Sequence, residues 1–438
     1  MTFADDIRYL TSLTAVSERS QQVFKAAVPD KASGILHGQH FDIKLAALDN
    51  VASFIDSLIK RDYPAIADIP PHSRWRHYTM NGIDRISNMV AEWKKSAVVT
   101  DEEAVRRVLD LFLVSVLLDA GAGDRWKFHE KSTGYSYSRS EGLAIAALEM
   151  FQSGLFSNDP AGNPCRVDAD ALMNLQPDML AKGMQVDLAN NPLVGLDGRC
   201  ALLCRLGAVL NADTKYFGPA GSKRPGGMFD YLKSVAKDDK VNIESLWFVL
   251  TEGLNGLWPA TRTALDGKSL GDVWPCDALK QSPSGTVADT LVPFHKLTQW
   301  LTYSLIEPIE QLGKLTVLGT EKLTGLPEYR NGGLFVDFGV LTLHKDDVDR
   351  GLKQSPGSSI PMFEPHDPVV VEWRALTVVL LGMVADVIRK NYNLDKNQLP
   401  LAKVLEAGTW KAGREIAAKL RPDTKGPPIN IISDGTVF

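Results

Sequence analysis

Apolar residues recur at helical spacing along most of the chain, and strand-like alternation is scarce. Val51–Lys60 is a short amphipathic segment and Tyr63–Pro71 a proline-interrupted loop. Thr100–Leu118 is the clearest helix. Thr100 and Glu103 make a capping-box pattern, Asp101 and Glu102 load the first turn with acid, and LDLFLVSVLL is apolar on every side. A second helix starts near Ser140–Glu141, carries Leu143, Ala147 and Phe151 as its stripe, and stops at Gly154. Asp197–Leu210 is a third. After Pro293, FHKLTQWLTYSLIEPI turns Leu297, Trp300, Leu301 and Leu305 to a core and leaves Lys296, Gln299 and Tyr303 as a polar stripe. Trp258–Pro259 and Trp274–Pro275 mark turns, and no alternation of strands and helices suggests a parallel sheet. The pattern predicts a mainly α protein. It divides into an N-terminal helical region over 1–99 and a helical domain over 100–438, or the two form one continuous unit.

One stretch departs from the pattern. Leu323–Leu343, LTGLPEYRNGGLFVDFGVLTL, sets Glu328, Tyr329, Arg330 and Asp337 into an apolar run, where an unpaired buried charge is costly. Thr324 can cap, Gly325 can turn, and Pro327 suits the first position of a short helix. Glu328 then falls in the first turn, where the helix dipole favours an ionised carboxylate. Asn331 and Gly332 lie beside it and leave space over it, while Arg330 shares the opposite face with Asp337. Two readings stand: a Glu328 presented to a small ligand, or a capping Glu beside a structural Arg330–Asp337 pair.

Other charges stand near aromatic or glycine-rich turns. SRWRHYTMNGIDR, residues 73–85, either grips a phosphate or packs its Arg stems on Trp75 and Tyr78. Asp119 closes the Thr100 helix before Gly121–Gly123; it either bonds the turn amides or is held for a ligand. Glu141 follows Arg139 and a Gly-containing loop, as a dipole partner or a further carboxylate. Gly218–Gly227, GPAGSKRPGG, lacks the order of a nucleotide P-loop, leaving a flexible loop or a single phosphate contact at Lys223 and Arg224. Cys200 and Cys204 share a helical turn without a matching Cys/His pair, which favours packing over a metal.

Composition narrows the classes. The 438 residues allow more than one domain-sized unit. Forty-eight basic against 53 acidic residues give a net charge of −5, which argues against a sequence-independent grip on nucleic acid. Four cysteines make no disulfide framework. The acidic MTFADDIRYLTSL is unlike a signal peptide, and runs such as Leu376–Ile388 are too short to span a bilayer. A cytoplasmic protein with no membrane partner is expected.

Several motifs together carry a resemblance: WKFHEKSTGYSYSRSEGLAIA, LWPATRTAL, GDVWPC, PFHKLTQWLTYSLIEP, GLPEYRNGGLFVDFGVL and the terminal SDGTVF. In these the chain resembles the uracil-catabolism family, the fourth protein of the fungal and bacterial uracil-degradation route. The resemblance implies a pathway in which uracil becomes a nucleotide, its ring is opened, and a ribosylurea-type compound is left. More distantly, the last 150 residues are similar to queuosine-salvage nucleotide glycosidases: Pro293–Phe294–His295–Lys296, then Glu328–Tyr329–Arg330, Glu372 and Arg374, and Trp410. That likeness implies a helical glycosidase architecture, distantly like the helix-hairpin-helix DNA glycosylases, and hydrolysis of an N-glycosidic bond. Glu at 328 and His at 295 depart from the usual Asp and Tyr.

Glu328 is then the expected catalytic carboxylate, with Asp337 and Glu141 as alternatives. Lys296 holds a 5′-phosphate, with Arg74, Arg139, Arg199 or Arg224 as a second cation. His295, Gln299, Arg330 and Asp119 line the site, and Trp126 or Trp274 stacks on the planar amide. The expected ligand is a small nucleotide-derived molecule, with no metal or cofactor. The alternative is a non-catalytic sensor of uracil nucleotides.

Overall fold

The structure is a computed structural model that describes residues 2–95, 99–123, 125–259, 261–283 and 285–432. The terminal SDGTVF motif lies outside the described residues. The protein is mainly α with a few short strands. Its chain forms two compact units: Met1–His72 with Ala260–Gln299 and Glu321–Phe438, and Ser73–Pro259 with Trp300–Thr320. The division differs from the boundary read at 99/100. The helices Leu13–Ala26 and Leu48–Asp62 bury their apolar faces against the helix Pro368–Tyr392, so the N-terminal segment has no core of its own.

In the first unit, Pro368–Tyr392 is the central element. Asp367 caps it by accepting the Val369 amide at 3.0 Å, Pro368 takes the first position, and Asn393 ends it in the left-handed region. Val370, Ala375, Leu376, Leu380 and Leu381 on it are fully buried. The run judged too short to span a bilayer therefore belongs to a 25-residue helix that is long and apolar enough to do so. Within it, 83% of the most apolar window is buried inside the fold. The helix Tyr329–Asp337 packs against it and against Trp410–Leu420. These crossings are close: a Cβ on Gly413 would lie 2.1 Å from the Arg330 carbonyl. A four-stranded antiparallel sheet orders Val28–Pro29, Leu36–His37, Phe41–Ile43 and Leu341–Leu343.

The second unit surrounds Asp101–Leu117, where Thr100 caps the Glu103 amide and the apolar run is buried, as the pattern predicts. Arg139–Gln152, Leu196–Ala212 and Met228–Val235 pack on it. Cys200 and Cys204 both donate to the Leu175 carbonyl at 3.5 and 3.4 Å.

Candidate functional site

In the first unit the strand Val273–Pro275 pairs antiparallel with Leu291–Pro293 and leads to the helix that begins at Lys296. The Trp274–Pro275 turn expected from the sequence is thus part of a strand. Between strand and helix, His295 adopts φ 45°, an uncommon value for a residue with a side chain. Its Nε2 donates to the Leu10 carbonyl at 2.8 Å, and burial pushes its pKa down toward the neutral ring.

Asp272 organises this junction. Its carboxylate accepts both Arg374 guanidinium nitrogens at 2.8 Å, the Trp274 indole at 2.6 Å and the Lys296 amide at 3.0 Å. Burial pushes the Asp272 pKa up, yet Arg374 overcomes it and holds the group at about 2. Arg374 also covers the Phe294 ring at 4.1 Å and donates Nε to the Pro327 carbonyl at 3.2 Å. One buried ion pair therefore fixes the start of the Lys296 helix and the residue before Glu328. Trp274 is buried and covered by Arg262 at 4.8 Å, so it is part of this scaffold.

Glu328 is the N-cap of Tyr329–Asp337, one residue outside the helix in which the sequence places it. Oε2 accepts the Arg330 amide at 2.7 Å and Oε1 the Asn331 amide at 2.6 Å. Those two bonds start the helix after Glu328. Burial pushes its pKa up, while the two amides and the positive charges of Lys296 and Arg330 pull the other way. Lys296 is half-buried. Gln299 donates to the Thr324 hydroxyl at 2.8 Å and accepts the Thr324 amide at 3.0 Å. Gln299 therefore clamps the two segments together, and Thr324 is not a helix cap.

Two expectations for this stretch are corrected. Arg330 does not pair with Asp337: its Nη1 donates to the Lys425 carbonyl at 2.8 Å, and Asp337 takes both nitrogens of Arg421 at 2.8 and 2.6 Å. The space expected over Glu328 at Gly332 is filled, since a Cβ there would meet Trp373 at 2.7 Å. Both glycines serve close packing, Gly333 against Pro428.

The remaining candidates belong to the second unit. Asp119 pairs with the enclosed Arg74 at 2.7 Å, and Arg74 also bonds Ser115. Arg85 is likewise buried on Glu130 at 2.6 and 2.7 Å, so these two arginines of residues 73–85 pair with carboxylates inside the fold. Arg199 donates to the carbonyls of Leu118, Val194, Ala120 and Gly121, and burial pulls its pKa down to about 10. Those bonds direct Arg199 to backbone. Trp126 is fully buried, with its indole on the Met184 carbonyl at 3.0 Å, so its ring offers no open face. Lys223 and Arg224 are buried too, Arg224 on Asp110 and Glu103, which replaces the expected flexible loop. Arg139 and Glu141 are half-buried in the first turn of Arg139–Gln152.

Sequence reasoning missed a second cluster in the first unit. Glu372 accepts the amides of Gln39 and His40 at 3.1 and 2.7 Å, and burial raises its pKa to about 7. His40 bonds Asp277 at 2.9 Å and Asp347 at 2.8 Å. Burial opposes its charge, but the two carboxylates raise its pKa to about 9. Two acceptors on one ring require both nitrogens protonated. Gly38 is obligatory here, as a Cβ would lie 2.1 Å from Glu372 Oε1. Of its members the sequence points only to Glu372, through the glycosidase likeness.

Among known proteins, residues 9–438 match the family model described as "Protein of unknown function (DUF1688)". The chain belongs to this family. It is 42% identical over 451 residues to "Uracil catabolism protein 4" of Lachancea kluyveri, covering all of both chains. It is 41% identical over 437 residues to "Protein urg3" of Schizosaccharomyces pombe, covering 99% of each. Family membership thus extends over every motif that carries the first resemblance, including both segments joined by Asp272 and Arg374.

Proposed function

We propose that the protein acts in uracil catabolism, the process named for its Lachancea relative, as a cytoplasmic, metal-independent N-glycosidase. Its substrate is a ribosylurea-type intermediate carrying a 5′-phosphate. The carrying observation is Glu328, a buried carboxylate oriented by two amides with the Lys296 charge nearby. In the reaction the C1′–N bond breaks with its electron pair on nitrogen, leaving an oxocarbenium-like sugar. Glu328 stabilises that cation and takes a proton from the water that adds to C1′; urea leaves after gaining a proton at nitrogen. Lys296 holds the phosphate, and Arg374 acts through Asp272 and Pro327 to position both. A helical nucleotide-glycosidase architecture belongs to the same proposal.

Incubation with synthetic ribosylurea 5′-phosphate in chelator-containing buffer tests it by urea quantitation. Urea and ribose 5-phosphate should appear in equal amounts. Release that collapses with chelator overturns the metal-independent mechanism. No release favours the second reading, a uracil-nucleotide sensor. That reading draws on the engagement of both Glu328 oxygens in helix capping.

A further inference from the structure

Two buried polar atoms where the helix Tyr329–Asp337 meets Pro368–Tyr392 have no hydrogen-bond partner among the described residues: Asn331 Oδ1 and Trp373 Nε1. Asn331 is 1% exposed and Trp373 2%. Each such group costs about 1–3 kcal/mol when left unsatisfied, so two at the contact of the helices Tyr329–Asp337 and Pro368–Tyr392 call for a physical reason.

Their surroundings are otherwise well bonded. Asn331 Nδ2 donates to the Leu326 carbonyl at 3.1 Å, and the Asn331 amide goes to Glu328 at 2.6 Å. Turning the side-chain amide over would set its oxygen against the Leu326 carbonyl, so Oδ1 is the acceptor left over. The indole nitrogen borders the next residue, where a Cβ on Gly332 would lie 2.8 Å from Trp373 Nε1. Thr377 borders the same glycine and gives its proton to the Trp373 carbonyl at 2.7 Å. One acceptor and one donor therefore adjoin the first turn of a nine-residue helix whose N-cap is Glu328.

We infer that Asn331 Oδ1 and Trp373 Nε1 recognise a carbamoyl group, Asn331 accepting from its NH₂ and Trp373 donating to its carbonyl oxygen. This rests on the glycosidase reading and adds to it the recognition of the leaving group. A urea or primary amide supplies both complements; an alkyl or ester group supplies no N–H and leaves Asn331 unpaired. Sites built to bond a polar group reject analogues lacking it far more strongly than apolar pockets reject a misfit. Both atoms are closed to solvent, so the carbamoyl group reaches them by local opening of the Glu328 turn and is then sealed from water.

The test uses the full-length protein and two probes, ribose 5-phosphate and the carbocyclic analogue of ribosylurea 5′-phosphate. The analogue lacks the ring oxygen that supports cleavage, so titration calorimetry reads binding alone. The wild type should bind the analogue more tightly than ribose 5-phosphate. Trp373→Phe keeps the ring packing but removes the N–H. It should weaken analogue binding about tenfold, leave ribose 5-phosphate binding unchanged, and not lower the melting temperature of the unliganded protein. Equal analogue affinity of wild type and Trp373→Phe overturns the inference while the glycosidase reading stands. So does a lowered melting temperature with unchanged binding, which assigns the indole N–H to an internal water. A wild type that binds neither probe overturns both.

Discussion

Arg374 and Asp272 close a two-point ion pair, with both nitrogen–oxygen distances at 2.8 Å and neither side chain reaching solvent. Removing one partner leaves the other charged and buried, a loss of about 3–5 kcal/mol. Arg374→Met and Asp272→Asn should each lower the midpoint of denaturant unfolding accordingly, whereas Arg374→Met with Asp272→Leu should recover much of the loss. A single variant as stable as the wild type would refute the assigned burial.

Glu328→Gln separates chemistry from capping. Gln offers its one oxygen to one of the two backbone amides, sets an NH₂ against the other, and brings no negative charge to an oxocarbenium ion. The expected outcome is a modest fall in melting temperature, from the one lost cap bond, and a fall in kcat on the order of 10²–10³-fold. Asp337→Asn is the contrast: it weakens a two-point pair with Arg421 and should lower the melting temperature more than kcat. Steady-state kinetics and thermal unfolding on both variants decide. The reverse pattern would make Asp337 the catalytic carboxylate.

Lys296→Ala tests the phosphate assignment. Loss of a charge-assisted contact should raise KM or Kd for a phosphorylated ligand roughly tenfold. The dephosphorylated ligand should bind wild type and variant alike. A wild type indifferent to the phosphate would remove Lys296 from the site.

The turn at Gly38–His40 predicts a pH dependence. Glu372 rises from 4.5 to about 7 and His40 from 6.5 to about 9. Both folded pKa values lie above their unfolded ones, so both contributions are complete at low pH and fade as pH rises through the folded values. Melting temperature should fall between about pH 4.5 and about 9 through these groups. In Glu372→Gln the lower part of that fall should vanish. Identical pH profiles for wild type and variant would show that Glu372 does not titrate there.

Much of this was legible locally. The Thr100 cap, the buried run after it and the Lys296 helix follow from spacings within a few residues. Glu328 was visible as a carboxylate in an apolar run, with capping as one of its two readings, but spacing could not choose between first turn and N-cap because that depends on which amides it meets. Asp272 was hidden for a different reason. Its partner is 102 residues away, and nothing in GDVWPC distinguishes a buried anchor from a turn. Asp119 and Arg74 show the same effect: each looked ready for a ligand, and each was the other's partner.

The Gln299–Thr324 and Asp272–Arg374 bonds also bear on how the protein acquires its activity. They join segments 25 and 102 residues apart, and such closures come late because loop entropy precedes their reward. The helices that carry Lys296 and Glu328 can form from local sequence, whereas their mutual placement waits for these long-range contacts. During refolding, helical content should return ahead of turnover, and a fragment beginning after Asp272 would be helical yet inert.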